Sequence, residues 1–138
     1  MALPLSVRKN IKETEVKRDD NLAKIKQILN CEFSFECDME TIFDAAPESF
    51  KNDIGKIIHE QYLGGLAENL AQIMKDEMSV EAFLEAVPSK KISFKLDELE
   101  WGKFIKSVIV DGVYYLVASK KDFPCNFKQA GADIEKIL

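Results

Sequence analysis

The sequence around Asp111-Gly112 constrains the fold more than any other segment. β-branched and aromatic residues dominate positions 104–110 and 113–118, and only Asp-Gly separates the two runs. This pattern is typical of a two-residue type I′ turn, because both central residues of that turn need positive φ angles. The sequence therefore predicts a β-hairpin in which Val110 faces Val113 across the turn.

Both faces of this predicted hairpin are apolar. One face carries Phe104, Val108, Val110, Val113, Tyr115 and Val117, and the other carries Ile105, Ile109, Tyr114, Leu116 and Ala118. A hairpin at the open edge of a sheet usually has one polar face in contact with water. We therefore expect that helices cover both faces, that the sheet curls, or that one face meets a ligand or a partner.

Two further segments alternate strictly between apolar and polar residues. Residues 31–38 read CEFSFECD and residues 91–97 read KISFKLD, so both predict strands with one buried face. Such alternation is typical of antiparallel sheets, and lysines in the second segment match glutamates in the first. The sequence thus predicts an α+β fold of one domain, residues 1–138, with an antiparallel sheet of about four strands packed against several helices.

Helical spacing of apolar residues marks the remaining elements. Residues 14–29 predict a helix that Asn30 ends, and residues 49–76 predict the main helical region. Gly64-Gly65 divides that region into two apolar stripes with different directions. We expect a break or kink at these glycines, and the alternative is one continuous helix in which they permit close packing.

Composition and charge restrict the possible functions. The hydrophobic content of 46% is too high for a disordered chain, and no apolar run is long enough to span a bilayer. Residues 31–100 carry sixteen Asp/Glu against six Lys/Arg, which argues against nucleic acid as the main ligand. The sequence has no signal-peptide pattern, and its three cysteines are an odd number without metal-ligand spacing. We therefore expect a cytoplasmic protein without a membrane anchor.

Residues that could carry chemistry are few. The only histidine, His59, sits in an apolar helical stretch, where we expect a structural role at the edge of the core. Cys31 and Cys37 are expected to point inwards, and Cys125, after Pro124, to be the most exposed thiol. The acidic residues between Asp38 and Glu48 lack the spacing and central glycine of a calcium loop. We therefore expect no catalytic residue, no metal site and no cofactor.

These observations favour a non-catalytic, cytoplasmic protein-interaction or adaptor domain. Its partner would be another protein or a second copy of the chain. The candidate binding residues are Trp101, Phe104, Val108, Tyr114 and Tyr115. Tryptophan and tyrosine are enriched among residues that dominate binding energy, so an exposed Trp101 would be a binding anchor, but we favour the alternative that it caps one end of the core.

Two alternative functions stay open at this stage. The first is binding of an apolar small molecule between sheet and helices, in a pocket lined by Phe33, Phe35, Phe94 and Tyr115. The second is a small enzyme that uses carboxylates or Cys125. A pocket with those aromatic walls would favour the first alternative, and a filled core with an exposed apolar patch would favour the interaction domain.

Overall fold

A computed structural model of the chain describes residues 3–138 as helices packed on a four-stranded sheet. The strands are β1 (Ser34–Cys37), β2 (Lys91–Asp97), β3 (Ile105–Val110) and β4 (Val113–Ser119). The α-helices are α1 (Leu5–Glu13), α2 (Glu15–Leu29), α3 (Met39–Ala45), α4 (Ile54–Lys56), α5 (Leu63–Ile73) and α6 (Glu77–Ala86). Short 3₁₀ helices cover Glu48–Asp53, Phe127–Gln129 and Ile134–Ile137. Within residues 3–138, no helix combines the length and the hydrophobicity needed to cross a membrane.

The hairpin has the predicted register. Val110 pairs with Val113, and the φ angles of 51° at Asp111 and 75° at Gly112 are those of a type I′ turn. Ordinary residues rarely adopt positive φ, which is why Asp-Gly occupies this turn. The helix-ending role predicted for Asn30 is also confirmed, because its φ of 53° is the left-handed conformation of a helix C-terminus.

The sheet is mixed, so the predicted antiparallel sheet is wrong. Its strand order is β1-β2-β4-β3, with β1, β2 and β4 mutually parallel and only β3 antiparallel to β4. Alternation reports that one face of a strand is buried, but it contains no information about the direction of the neighbouring strand. The helices between β1 and β2 provide the long crossover that parallel pairing requires.

All helices that contact the sheet bury the same face of it. Ile92, Phe94, Tyr114 and Leu116 lie side by side on this face and are almost completely buried. Phe83 of α6 packs against Phe33 and Tyr114, with ring centroids 5.8 Å apart in both cases. The two alternating segments therefore share one sheet and one buried face, as predicted, but β1 covers only Ser34–Cys37 of the strand predicted at residues 31–38.

The main helical region runs through Gly64-Gly65 without a break, so the break expected there is wrong. The glycines instead permit close packing: a Cβ on Gly65 would lie 2.0 Å from the Phe127 carbonyl oxygen. The change in direction of the apolar stripe occurs one turn earlier, in a π-helical segment from Ile57 to Tyr62. A π turn holds about one residue more than an α turn, which rotates the following face by roughly 100°.

Candidate functional site

The face of the hairpin that points away from the helices is partly exposed to solvent. This hairpin outer face consists of Phe104, Val108, Val110, Val113, Tyr115 and Val117. Val110 is 46% exposed and Phe104 is 37% exposed, whereas Val117 is buried. The Lys95 ammonium lies 4.8 Å from the centre of the Tyr115 ring, so β2 contributes a charged border to the apolar strip.

Trp101 lies at the tip of a tight turn at one end of this face. The Lys103 N–H donates to the Glu100 carbonyl at 3.0 Å, which closes a β-turn with Trp101 and Gly102 at its centre. The φ of Gly102 is 83°, a value that glycine adopts without steric cost. The Trp101 side chain is 97% exposed, so the expectation that it caps the core is wrong. We call residues 100–103 the Trp101 turn.

A groove of about 640 Å³ lies between the Trp101 turn and the end of β4. Its walls are formed by Glu98, Leu99, Glu100, Trp101, Gly102, Phe104, Ser119, Lys121 and Asp122. We call it the Trp101 groove. At one side of the groove the Ser119 hydroxyl donates to the Asp122 carboxylate at 3.1 Å, and the Ser119 N–H donates to the Phe104 carbonyl at 2.8 Å. These bonds attach Asp122 and Phe104 to the end of β4.

The strand order explains why the groove forms at this edge. β2 and β4 are parallel neighbours, so their carboxyl ends, at Asp97 and Ser119, lie at the same edge. The chain leaves β2 and passes the end of β4 before it enters β3 at the outside of the sheet. The connection at residues 98–104 therefore lies beside the end of β4. Crevices at the carboxyl ends of parallel strands are common ligand sites in open sheets.

Tyr114 does not belong to this surface, contrary to the sequence-based choice of binding residues. It is fully buried on the helix-covered face, where its hydroxyl is hydrogen-bonded to the Ser107 hydroxyl. Burial raises the pKa of Tyr114, so the phenol is neutral. The hairpin is apolar on both faces, and the sequence alone could not decide which face the helices cover. The other four candidates, Trp101, Phe104, Val108 and Tyr115, lie on the open side.

The aromatic residues proposed to line a small-molecule pocket do not share one cavity wall. Phe33 and Phe94 are buried in the packed core, and Phe35 lies on the same side of the sheet. Tyr115 lies on the opposite side, because its neighbours Tyr114 and Leu116 point into the core. The groove of 640 Å³ is lined by none of these four aromatic residues.

His59 sits in the π-helical segment and serves the packing of α2. The Thr14 Oγ1 lies 3.0 Å from His59 Nδ1, and the Asn21 amide donates to the His59 carbonyl at 2.9 Å. The Phe35 ring meets the imidazole edge-on, with centroids 6.1 Å apart. Burial and then the positive charge of Arg18 lower the pKa of His59 to about 4, so the imidazole is neutral at pH 7.

The three cysteines are free and half-buried. Burial, together with the charge of Asp38, raises the pKa of Cys37 to about 12. Burial also raises the pKa of Cys125, whose backbone N–H and carbonyl both bond the Tyr62 hydroxyl. A neutral thiol is a weak nucleophile, so neither environment activates its sulfur. In the part of the chain that the structure describes, no three His, Cys, Asp or Glu side chains converge as metal ligands.

Sequence reasoning selected Trp101 and Phe104 but missed the polar half of the groove. Glu98 and Glu100 flank Leu99 at the start of the Trp101 turn, whereas Lys121 and Asp122 follow β4 about twenty residues later. The acidic run before Trp101 was a visible signal. The contribution of residues 119–122 depends on the parallel pairing of β2 and β4, which the alternation pattern does not encode.

Comparisons of this chain with protein-family models, curated proteins and solved structures found no match.

Proposed function

We propose that this chain is a non-catalytic protein-interaction domain that binds its partner through the Trp101 turn and the hairpin outer face. The observation that carries the proposal is the 97% exposure of Trp101 on a closed turn, with Phe104 beside it. Exposing an indole to water is unfavourable, and tryptophan is the residue most enriched among binding hot spots. The proposal also places the chain in the cytoplasm, and its three free thiols are typical of a reducing compartment.

The surface has the layout of a small interface. Large apolar groups are presented by Trp101 in the tight turn, by Phe104 just before β3 and by Tyr115 in β4, and the charged side chain of Lys95 borders Tyr115. An apolar centre with a polar rim is the usual composition of a protein-binding patch. A hydrogen bond closes the Trp101 turn and another joins the Phe104 carbonyl to β4, and preformed backbone structure of this kind lowers the entropic cost of binding.

The first test is sedimentation velocity at several protein concentrations, since symmetric dimers are the commonest oligomers. Wild type is compared with Trp101→Ala and with Met78→Ala, which removes an apolar side chain that is 79% exposed on α6. A mass increase that disappears in Trp101→Ala and persists in Met78→Ala identifies a homodimer through this surface.

The second test applies if the chain is monomeric. A photo-crosslinkable phenylalanine derivative is placed at position 103, which is exposed in the Trp101 turn, or at position 78, and the protein is irradiated in a cell extract with excess unlabelled competitor protein. The proposal predicts a crosslink at position 103 that wild type competes and Tyr115→Ala does not. The proposal is wrong if the chain is monomeric and crosslinking at the two positions is the same or is insensitive to the competitor.

A further inference from the structure

The Trp101 groove combines an aromatic face with an excess of negative charge. Its walls contain three carboxylates, Glu98, Glu100 and Asp122, and one ammonium group, Lys121. Among residues 3–138, the first two of these carboxylates form no intramolecular ion pair. They are therefore available to a cation that comes from outside the molecule.

The Trp101 indole adds a second attraction for the same kind of group. The face of an indole ring attracts cations, and tryptophan is the strongest of the aromatic side chains in this respect. Phe104 and Leu99 provide apolar wall surface on which the methylene stem of a long basic side chain can pack. A guanidinium group suits the indole face, the apolar wall and the carboxylates of the groove. It stacks on aromatic rings, and its planar fork of N–H groups bonds carboxylates.

We propose that the Trp101 groove binds a basic segment of a partner protein, with an arginine or lysine side chain held between the Trp101 indole and the carboxylates of Glu98 and Glu100. This inference rests on the proposed interaction function and adds the chemistry of the partner. A volume of about 640 Å³ admits a short stretch of peptide rather than a single ion.

The charge of the groove argues against other occupants. Nucleic acids and anionic membrane surfaces carry negative charge, which the carboxylates of the groove repel. A symmetric dimer centred on the groove would place the same carboxylates of two copies opposite each other. A basic peptide is the macromolecular partner for which both the charge and the aromatic face are favourable.

Trp101 is the only tryptophan of the chain, so its fluorescence reports on the groove directly. Capped peptides of six arginines, six lysines or six glutamines are titrated into the folded protein at low and physiological salt. The inference predicts a saturable change of Trp101 emission with arginine, a weaker affinity for lysine and no binding of glutamine. Raising the salt weakens binding, because the interaction depends on exposed charges.

A matched pair of double variants separates the groove from the general charge of the protein. Glu98→Gln with Glu100→Gln should raise the dissociation constant of the arginine peptide about tenfold, since each exposed ion pair contributes up to about fivefold. Glu81→Gln with Glu85→Gln makes the same change in net charge on α6 and should alter it less than about twofold.

Three results would overturn the inference: no saturable response to arginine, equal binding of the glutamine peptide, or equal weakening by the two double variants. The crosslinking experiment distinguishes these failures from failure of the interaction function. A competed crosslink at position 103 without arginine binding leaves the interaction domain intact and removes only the basic partner.

Discussion

The adjacent glycines of α5 give a sharp test of how closely this helix packs against the segment at residues 127–130. A Cβ on Gly65 would lie 2.0 Å from the Phe127 carbonyl oxygen, which no side-chain rotation relieves. A Cβ on Gly64 would lie 3.6 Å from the Asn21 amide nitrogen, an ordinary contact. The same substitution by alanine, one residue apart in the same helix, should therefore have opposite effects on the free energy of unfolding.

The expected magnitudes follow from the contacts. Gly64→Ala should stabilise the protein by up to about 1 kcal/mol, the difference in helix propensity between the two residues. Gly65→Ala gains the same propensity but must displace the 127–130 segment, whose carbonyls at Lys128 and Ala130 accept bonds from Asn69. Overpacking costs about 1–3 kcal/mol and each weakened hydrogen bond about 1 kcal/mol, so we expect a net loss of about 2 kcal/mol.

Urea denaturation followed by circular dichroism measures both values. Circular dichroism is preferred because the exposed Trp101 reports little of the folding transition. We expect the two variants to differ by about 3 kcal/mol in the free energy of unfolding. Equal effects of Gly64→Ala and Gly65→Ala would refute the close packing of Gly65 against the Phe127 carbonyl.

Three further predictions concern titration, reactivity and the core. The pKa of His59 is about 4 in the folded protein, below the usual value of about 6.5, so stability is complete above pH 6.5 and is lost as the pH falls towards 4. The loss of unfolding free energy should reach about 3 kcal/mol relative to the His59→Gln variant. A difference in unfolding free energy between the two proteins that does not depend on pH would contradict this prediction. Cys37, with a pKa of about 12, should react with iodoacetamide at least tenfold more slowly than Cys125, as measured by mass spectrometry. Faster labelling of Cys37 would show that its thiol is not buried. In urea denaturation, Phe83→Ala should lower the free energy of unfolding by about 3–5 kcal/mol and Phe104→Ala by less than about 1 kcal/mol. Losses of the same size in the two variants would place Phe104 in the core.

Local patterns of the sequence predicted local structure well. The Asp111-Gly112 turn fixed the register of the hairpin, and the alternation of residues 91–97 matched the bounds of β2. The Asp38 carboxylate caps α3 by accepting from the Thr41 N–H, the role that aspartate often takes at a helix N-terminus. In each case the information lies within a few adjacent residues.

Features that depend on distant contacts were not predictable. The direction of β1 relative to β2 is set by the crossover through the helices, which leaves no trace in the alternation of either strand. The role of Gly65 depends on Phe127, more than sixty residues later in the chain. The choice between the two apolar faces of the hairpin likewise follows from where α6 packs, so Tyr114 was placed on the wrong side.

The Trp101 groove combines residues that the sequence identifies with residues that only the folded chain brings together. Trp101 and Phe104 could be selected because exposed aromatic residues near a turn are recognisable candidates for binding. The carboxylate of Asp122 and the hydroxyl of Ser119 join them only because β4 lies between β2 and β3. A sequence-based prediction that assumed a simple antiparallel order had no reason to bring these residues together.

The most direct test of the central claim is the effect of Trp101→Ala on both binding and folding. The affinity is measured for self-association or for the partner that crosslinking identifies. The free energy of unfolding is measured by urea denaturation. We predict that Trp101→Ala weakens binding about thirtyfold or more, as expected for a hot spot, and changes the unfolding free energy by less than about 0.5 kcal/mol. Unchanged binding, or a loss of several kcal/mol in folding stability, would contradict the assignment of the Trp101 turn as a binding surface.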